Sequence, residues 1–258
     1  MLNSNDKASD RVALVTGGAK GIGHAISSRL AQEGIRVVIG DIDLEAANET
    51  AKEIESKGGV VRAVHLDVSS PASIEATFKM LEDDFGRCDI LVNNAGISTL
   101  KDVMDYPLDQ WQKIMDVNVT GSFLCGQHAA RLMAPRQWGR IVMLSSISGF
   151  AAGAGRVAYG TSKTALIGLT KQMAIELAKY GITVNGVAPG PIDTPLTRSM
   201  YTDEGRAYLN SRIPANRFGT PEEIAHGVAF LVHDLSAYVT GHILPIDGGF
   251  LAAGAIKN

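Results

Sequence analysis

The sequence predicts an α/β protein: one domain built on a doubly wound parallel sheet with helices on both faces. Three observations carry that expectation. Short apolar runs alternate regularly with amphipathic helical patterns along nearly the whole chain. The first run, Val12-Ala13-Leu14-Val15, is apolar throughout, as in a parallel strand covered on both faces. Residues able to do chemistry fall just after the runs, where such sheets bind their ligands.

The elements follow in order. Val12-Ala13-Leu14-Val15 reads as a buried strand, and Thr16-Gly17-Gly18-Ala19-Lys20-Gly21-Ile22-Gly23 follows it. Ile22, Ile26 and Leu30 then mark one face of a helix that Gly34 stops. Strand, glycine-rich turn and helix together form the setting of a dinucleotide site. Glycines let the backbone approach a pyrophosphate, and the helix N-terminus favours its charge. A second strand, Arg36 to Gly40, ends at Asp41. An acidic residue at that distance can accept hydrogen bonds from the adenosine ribose and repels a 2′-phosphate. Asp43 is the better helix cap, which leaves Asp41 free for the ribose.

Val60 to Leu66 reads as a strand, Pro71 to Phe85 as a helix, and Ile90 to Val92 as a strand running into Asn93-Asn94-Ala95-Gly96. One long helix is expected from about Leu108 to Met133, with Asn118 inside it. Ile141 to Leu144 is a strand ending at Ser145-Ser146, and Thr183 to Val187 is another leading into Ala188-Pro189-Gly190. A polar stretch from Pro191 to Arg217 breaks the rhythm and is expected to form a mobile lid. A helix opens at Pro221, and His242 to Ile246 completes the sheet. Residues 1–10 are polar and read as a loose tail, leaving 11–258 as the domain.

Composition excludes several classes. With 258 residues, 45% hydrophobic and 20% charged, the chain is long enough for a large core. A net charge of -3 gives no sign of nucleic-acid binding. No run of 18 apolar residues is present, so neither a membrane span nor a membrane partner is expected. Cys88 and Cys125 are the only cysteines and suggest reduced thiols in the cytoplasm. The six histidines are dispersed, so no metal site is expected.

Tyr159 and Lys163 stand four apart on a helix whose apolar face is Leu166, Leu169, Met173 and Leu177. A phenol is a weak base at neutral pH, and a nearby ammonium favours its ionised form. Such a tyrosine can exchange a proton with an alcohol. A half-buried Tyr beside a solvated Lys is the plain alternative for the pair taken alone.

Taken together, these motifs resemble the short-chain dehydrogenase/reductase family. T-G-x-x-x-G-x-G appears as Thr16 to Gly23, N-N-A-G as Asn93 to Gly96, the helix Asn as Asn118, and Y-x-x-x-K as Tyr159 to Lys163. Ser146 lies thirteen residues before Tyr159, and the P-G turn is Pro189-Gly190. The match spans about residues 11 to 250.

The resemblance implies a single-domain Rossmann fold and a catalytic set of Asn118, Ser146, Tyr159 and Lys163. Tyr159 would be the general acid/base, and Lys163 would lower its pKa and bind the nicotinamide ribose. Ser146 would donate to the substrate oxygen, with Ser145 as its rival by sequence and pointing elsewhere. Asn118 would hold a water near the lysine. The implied cofactor is NAD, contacted by Gly17, Lys20, Gly21, Ile22, Gly23, Asp41, Ile42, Asp67, Val68, Asn94, Gly96, Tyr159, Lys163, Pro189, Gly190, Ile192 and Thr194. Lys20 is a cue toward NADP, outweighed by Asp41. The implied reaction is hydride transfer between NAD(H) and a secondary alcohol or ketone, with a hydroxy acid, polyol or sugar as candidate substrates.

Two rivals stand beside that reading. A 3-oxoacyl-[acyl-carrier-protein] reductase has a very similar pattern. It commonly uses NADPH and basic residues that hold the carrier protein, and the corresponding positions here are Gln137 and Tyr180, neither charged. A regulator that senses NAD without turnover is the non-enzymatic alternative. The family also implies a homotetramer packed through the helices of Asn118 and Tyr159, where Gly160, Ala165 and Gly168 would allow close approach. Ser146, Ser148, Arg156 and Tyr159 are the candidate substrate contacts. Arg156, three residues before Tyr159, can face the pocket and recognise a carboxylate or several hydroxyls, with a loop cap or a pairing across a subunit interface as the plain alternative.

Overall fold

The apolar run after Arg11 forms β1 (Val12–Thr16) of a seven-stranded parallel sheet in the computed structural model, which describes residues 10–253. Residues 1–9 of the expected tail lie outside the described residues. Where the described residues begin, the Asp10 carbonyl accepts a hydrogen bond from the Arg36 guanidinium at 2.9 Å.

The remaining strands are β2 (Arg36–Asp41), β3 (Val61–His65), β4 (Ile90–Asn93), β5 (Gly139–Leu144), β6 (Ile182–Pro189) and β7 (Ile243–Ile246). Their order across the sheet is β3-β2-β1-β4-β5-β6-β7, and every neighbouring pair is parallel. The chain builds outward from β1 in one direction, then returns to its other side with β4. The loops after β1 and β4 therefore diverge and open a crevice at the carboxyl ends of the strands.

Alternate side chains of β1 feed two cores. Ala13 and Val15 join the layer of α1 (Gly21–Gln32), α2 (Leu44–Ser56) and α9 (Pro221–Val232), through Ile26, Leu30, Ile54, Ile224 and Val228. Val12 and Leu14 face the layer of α3 (Pro71–Phe85), α5 (Gly121–Met133) and α6 (Val157–Leu177), through Phe78, Leu81, Met133 and Leu166. Coverage of both faces is why β1 reads as a continuous apolar run, whereas β3, at the sheet edge, carries exposed Arg62 and His65.

Local signals explain the helix ends. Ser70 caps α3 by accepting from Ser73 N, Pro71 occupies its first turn, and Gly86 closes it in the left-handed region at φ +63°. Asp43 caps α2 by accepting from Ala46 N, as its position before the helical pattern predicts.

Two expectations need correction. The helix expected from Leu108 to Met133 is not uniform. It consists of α4 (Leu108–Met115), a wider π turn (Asp116–Thr120) and α5, with the Gly121 N–H reaching back to the Asp116 carbonyl. The segment from Pro191 to Arg217 is not irregular either. It holds α7 (Pro195–Met200) and α8 (Asp203–Arg212). Thr194 and Thr197 form a capping box on α7, and Thr202 caps α8. No helix among the described residues is long and apolar enough to cross a membrane.

Leu91 lies in β4 between β1 and β5 and is fully buried. Leu91→Ala should cost about 2–5 kcal/mol of stability, measured by denaturant unfolding. A loss below about 0.5 kcal/mol would be inconsistent with a core packed in this way.

Candidate active site

The glycine-rich loop runs from the end of β1 into α1. Gly17 and Gly21 have φ of +61° and +54°, values that L side chains rarely adopt. A Cβ at Gly23 would strike the Gly17 carbonyl, so that position admits no side chain. Lys20, the residue that opens α1, makes no side-chain cap, and the first turn carries no acidic residue. The leading N–H groups of α1 are thus left to an anion, and the loop fits a dinucleotide pyrophosphate.

Neighbouring loops hold this turn in place. Asn94 Nδ2 donates to the Thr16 and Gly17 carbonyls at 3.0 and 2.8 Å, while Thr16 Oγ1 accepts from Asn94 N and Ala95 N. Asn94 therefore braces the loop as well as bordering the crevice. Asp41 is likewise not left free. Its Oδ2 accepts from Ala19 N at 3.1 Å and its Oδ1 from Asp43 N at 3.0 Å, because the end of β2 sets the carboxylate between two loop amides. Each carboxylate oxygen retains a further acceptor site for a ribose hydroxyl. Lys20 Nζ binds Asp43 Oδ2 at 2.7 Å, so Asp43 answers its charge. Ile42 projects to solvent beside Asp41.

Asp67 and Val68 follow β3. The Asp67 carboxylate accepts from Ser69 N and Ser69 Oγ, and the serine hydroxyl holds it below the usual carboxylate range. Val68 is buried with its carbonyl against Gly121, where any Cβ would collide.

Beyond the loop lies a cavity of about 380 Å³. Its walls bring together Ile22, Asn94, Gly96, Ser146, Ser148, Arg156, Tyr159, Lys163, Pro189, Gly190, Ile192 and Thr194. Gly17, Lys20, Gly21, Gly23, Asp41, Ile42, Asp67 and Val68 are not on these walls. They sit at the carboxyl ends of β1, β2 and β3 and, for Gly21 and Gly23, in the first turn of α1, along the same edge of the sheet. A long ligand spanning both regions would follow that edge.

Asn118 is fully buried in the π turn and is not on the cavity wall. Its Oδ1 accepts from Ile97 N at 2.8 Å, and its Nδ2 donates to Ile97 O at 3.0 Å and Ser162 Oγ at 2.9 Å. Ser162 Oγ in turn donates to Tyr159 O at 2.7 Å. A Cβ at Gly96 would approach Asn118 Oδ1 to 3.3 Å and Lys163 Nζ to 3.4 Å, which explains a glycine there. Asn118 thus ties the loop after β4 to the helix that carries Tyr159 and Lys163.

Ser146 and Ser145 point in different directions. Ser146 Oγ faces the cavity and accepts from Ser148 N at 3.1 Å. Ser145 Oγ is turned inward and donates to Lys163 O at 2.8 Å.

Burial pushes the Tyr159 phenol up, while hydrogen bonding with Ser146 and the positive charge of Arg156 pull it down. The Arg156 guanidinium and the Lys163 ammonium lie 5.5 and 5.6 Å from the centre of the Tyr159 ring. Lys163 Nζ donates to Leu144 O at 2.7 Å, and burial lowers its pKa to about 8. Chemically, the arrangement offers a half-buried phenol with a hydroxyl and two cations around it, open to a cavity of small-molecule size.

The sequence reading does not anticipate Tyr201. Its hydroxyl accepts from Arg156 Nη2 at 2.8 Å and reaches the cavity from the segment after α7. Nothing in the local pattern marks it. Ser162 was legible in principle, inside Tyr159-Gly160-Thr161-Ser162-Lys163, but its bond to Asn118 spans 44 residues.

Comparison with known proteins agrees with this geometry. Residues 17–251 match a family model described as enoyl-(acyl carrier protein) reductase. The chain is 41% identical over 244 residues to the 3-oxoacyl-[acyl-carrier-protein] reductase FabG of Aquifex aeolicus, covering 94% of this chain and 98% of that one. It is 39% identical to the cis-4-hydroxycyclohexanecarboxylate dehydrogenase of Sinomonas cyclohexanicum, covering 94% and 97%. Among solved structures, an Agrobacterium tumefaciens protein described provisionally as a gluconate dehydrogenase superposes with a TM-score of 0.92 at 36% identity, covering 94% and 96%. On its motifs, its fold and these relatives, the chain belongs to the short-chain dehydrogenase/reductase family of oxidoreductases.

Proposed function

We propose that this enzyme is an NAD-linked dehydrogenase that interconverts a secondary alcohol and its ketone, with Tyr159 as the acid/base. The observation that carries the reading is the cavity wall shared by Ser146, Tyr159 and Lys163 beside an uncapped glycine-rich loop. A bound nicotinamide would supply the hydride acceptor or donor. The chain's own residues do the rest. The loop amides of α1 hold the pyrophosphate. Ser146 donates to the substrate oxygen as negative charge develops there. Tyr159 takes or returns the hydroxyl proton. Lys163 holds the nicotinamide ribose. Asn118 positions the helix of Tyr159 through Ser162, and the α7–α8 segment closes over the substrate as a lid.

Asp41 favours NAD, because a carboxylate at the ribose repels a 2′-phosphate. Lys20, the residue that could favour NADP, is tied to Asp43. The rival reading, a 3-oxoacyl-[acyl-carrier-protein] reductase using NADPH, draws on the Aquifex aeolicus relative. We favour the small-alcohol reading because of Asp41, and place the enzyme in the cytoplasm as a homotetramer built through α5 and α6. Gly168 on α6 has open space around it, as close helix packing requires.

Tyr159→Phe should lower turnover roughly 10²–10⁴-fold while NAD binding, followed by fluorescence titration, persists. Turnover near that of the wild type would overturn the assignment. Because burial keeps the phenol protonated at neutral pH, it donates readily there and accepts only as pH rises. Alcohol oxidation should therefore accelerate from about pH 6 to about pH 9, and a flat profile would argue against Tyr159 as base.

Wild-type kcat/KM should favour NAD over NADP, and Asp41→Ala should narrow that ratio at least about tenfold, since like charges brought together cost several kcal/mol. The ratio is the proper readout, because Asp41 also holds Ala19 N and its loss loosens the loop for both cofactors. A wild-type preference for NADPH, with faster turnover of a 3-oxoacyl thioester than of any small alcohol, would select the rival.

A further inference from the structure

Arg156 stands apart from Arg198, Arg206 and Arg217. In the lid, Arg198 and Arg206 both pair with Asp193, and Arg217 pairs with Glu223. Arg156 has no carboxylate partner among the described residues, and no Asp or Glu lines the cavity it faces. Its side chain makes a single hydrogen bond, from Nη2 to the neutral Tyr201 hydroxyl. A guanidinium carries five N–H donors, so most of its fork is left for a ligand.

The fork is held, not loose. Tyr201 packs edge-on against Phe218, with ring centroids 6.3 Å apart at 86°. Phe218 lies under the Arg206 guanidinium at 4.2 Å, and Arg206 is anchored by Asp193. Tyr201 is therefore a braced post that orients Arg156. On its other side Arg156 sits 5.5 Å from the centre of the Tyr159 ring. The only other cation on the wall, Lys163, has its ammonium bound to the Leu144 carbonyl. Arg156 also opens α6 without capping it, and the helix N-terminus adds to the positive potential.

We propose that Arg156, oriented by Tyr201, receives a carboxylate of the substrate, so that the enzyme acts on hydroxy acids and the matching oxo acids. This rests on the dehydrogenase reading above. A planar guanidinium and a carboxylate pair through two parallel hydrogen bonds, which fixes the acid end and presents its hydroxyl to Tyr159. Tyr201 belongs to the lid, so the pair that binds the acid also joins the lid to the catalytic helix.

The test compares cis-4-hydroxycyclohexanecarboxylate, its carboxamide and cyclohexanol in wild type, Arg156→Leu, Arg156→Lys and Tyr201→Phe. Removing Arg156 also withdraws positive charge from Tyr159, which slows every alcohol alike, so the decisive quantity is the ratio of kcat/KM between acid and neutral alcohols. That ratio should exceed one in the wild type and fall roughly 10- to 100-fold in Arg156→Leu, mainly through KM. Arg156→Lys should restore part of it, and Tyr201→Phe should lower it less. An unchanged ratio in Arg156→Leu would overturn the proposal.

Calorimetric titration with cyclohexanecarboxylate, which cannot turn over, separates this inference from the reading beneath it. Binding by the wild type and at least tenfold weaker binding by Arg156→Leu support the carboxylate site even if no alcohol is oxidised, in which case the dehydrogenase reading fails alone. Equal binding by both proteins, or none by the wild type, overturns the carboxylate site even if neutral alcohols are oxidised.

Discussion

The site depends on one buried side chain. Asn118 spends both of its functional groups on elements distant in sequence: the two backbone groups of Ile97 and the hydroxyl of Ser162. The helix carrying it widens into a π turn at that point, and such turns recur where a helix must aim a residue at a site. A polar group with no exposure is costly unless satisfied, and here it is satisfied only when the loop after β4 and α6 are both in place. The same contact that would be expensive to leave unmade thus specifies where Tyr159 and Lys163 stand.

Charge is arranged around that scaffold in a consistent way. The cavity wall carries two cations and no carboxylate, while the acids of the region are engaged elsewhere. Asp193 holds the lid arginines, Asp43 holds Lys20, and Asp41 grips the loop amide of Ala19. Burial keeps the Tyr159 phenol protonated, with Arg156 moderating that effect, and brings Lys163 down to about 8, toward the point of changing protonation state. A site of this kind suits a substrate that brings an oxygen to be protonated or deprotonated and brings negative charge of its own.

Most of the fold was legible because local and global signals agree. α3 shows this best: Ser70, Pro71 and Gly86 mark its ends, and its apolar face has the right period. The parallel sheet followed from the regular alternation of strands with helices. What remained hidden depends on contacts remote in sequence. Nothing local distinguishes the π turn from an ordinary helix, because the residues that reward it are Ile97 and Ser162. Asp41 reads as a free acid because the amides it accepts from lie on a turn 22 residues earlier and on its own loop. α8 has no buried residues, so no apolar period could announce it, although Thr202 followed by Asp203 and Glu204 is a fair start signal. Arg156 could be placed near Tyr159 by helical spacing, but its partner Tyr201 could not.

We infer that Asn118 acts on turnover by placing other groups, without standing on the cavity wall itself. The turnover number of Asn118→Ala, taken well below its melting temperature with saturating NAD and alcohol, tests this most directly. A displacement of about 1 Å at a catalytic group costs roughly 10²-fold, and a loss of that order is predicted, with the protein still folded. Turnover within a factor of about two of the wild type would contradict the claim, because the loop after β4 and the helix of Tyr159 would then be held in register without it.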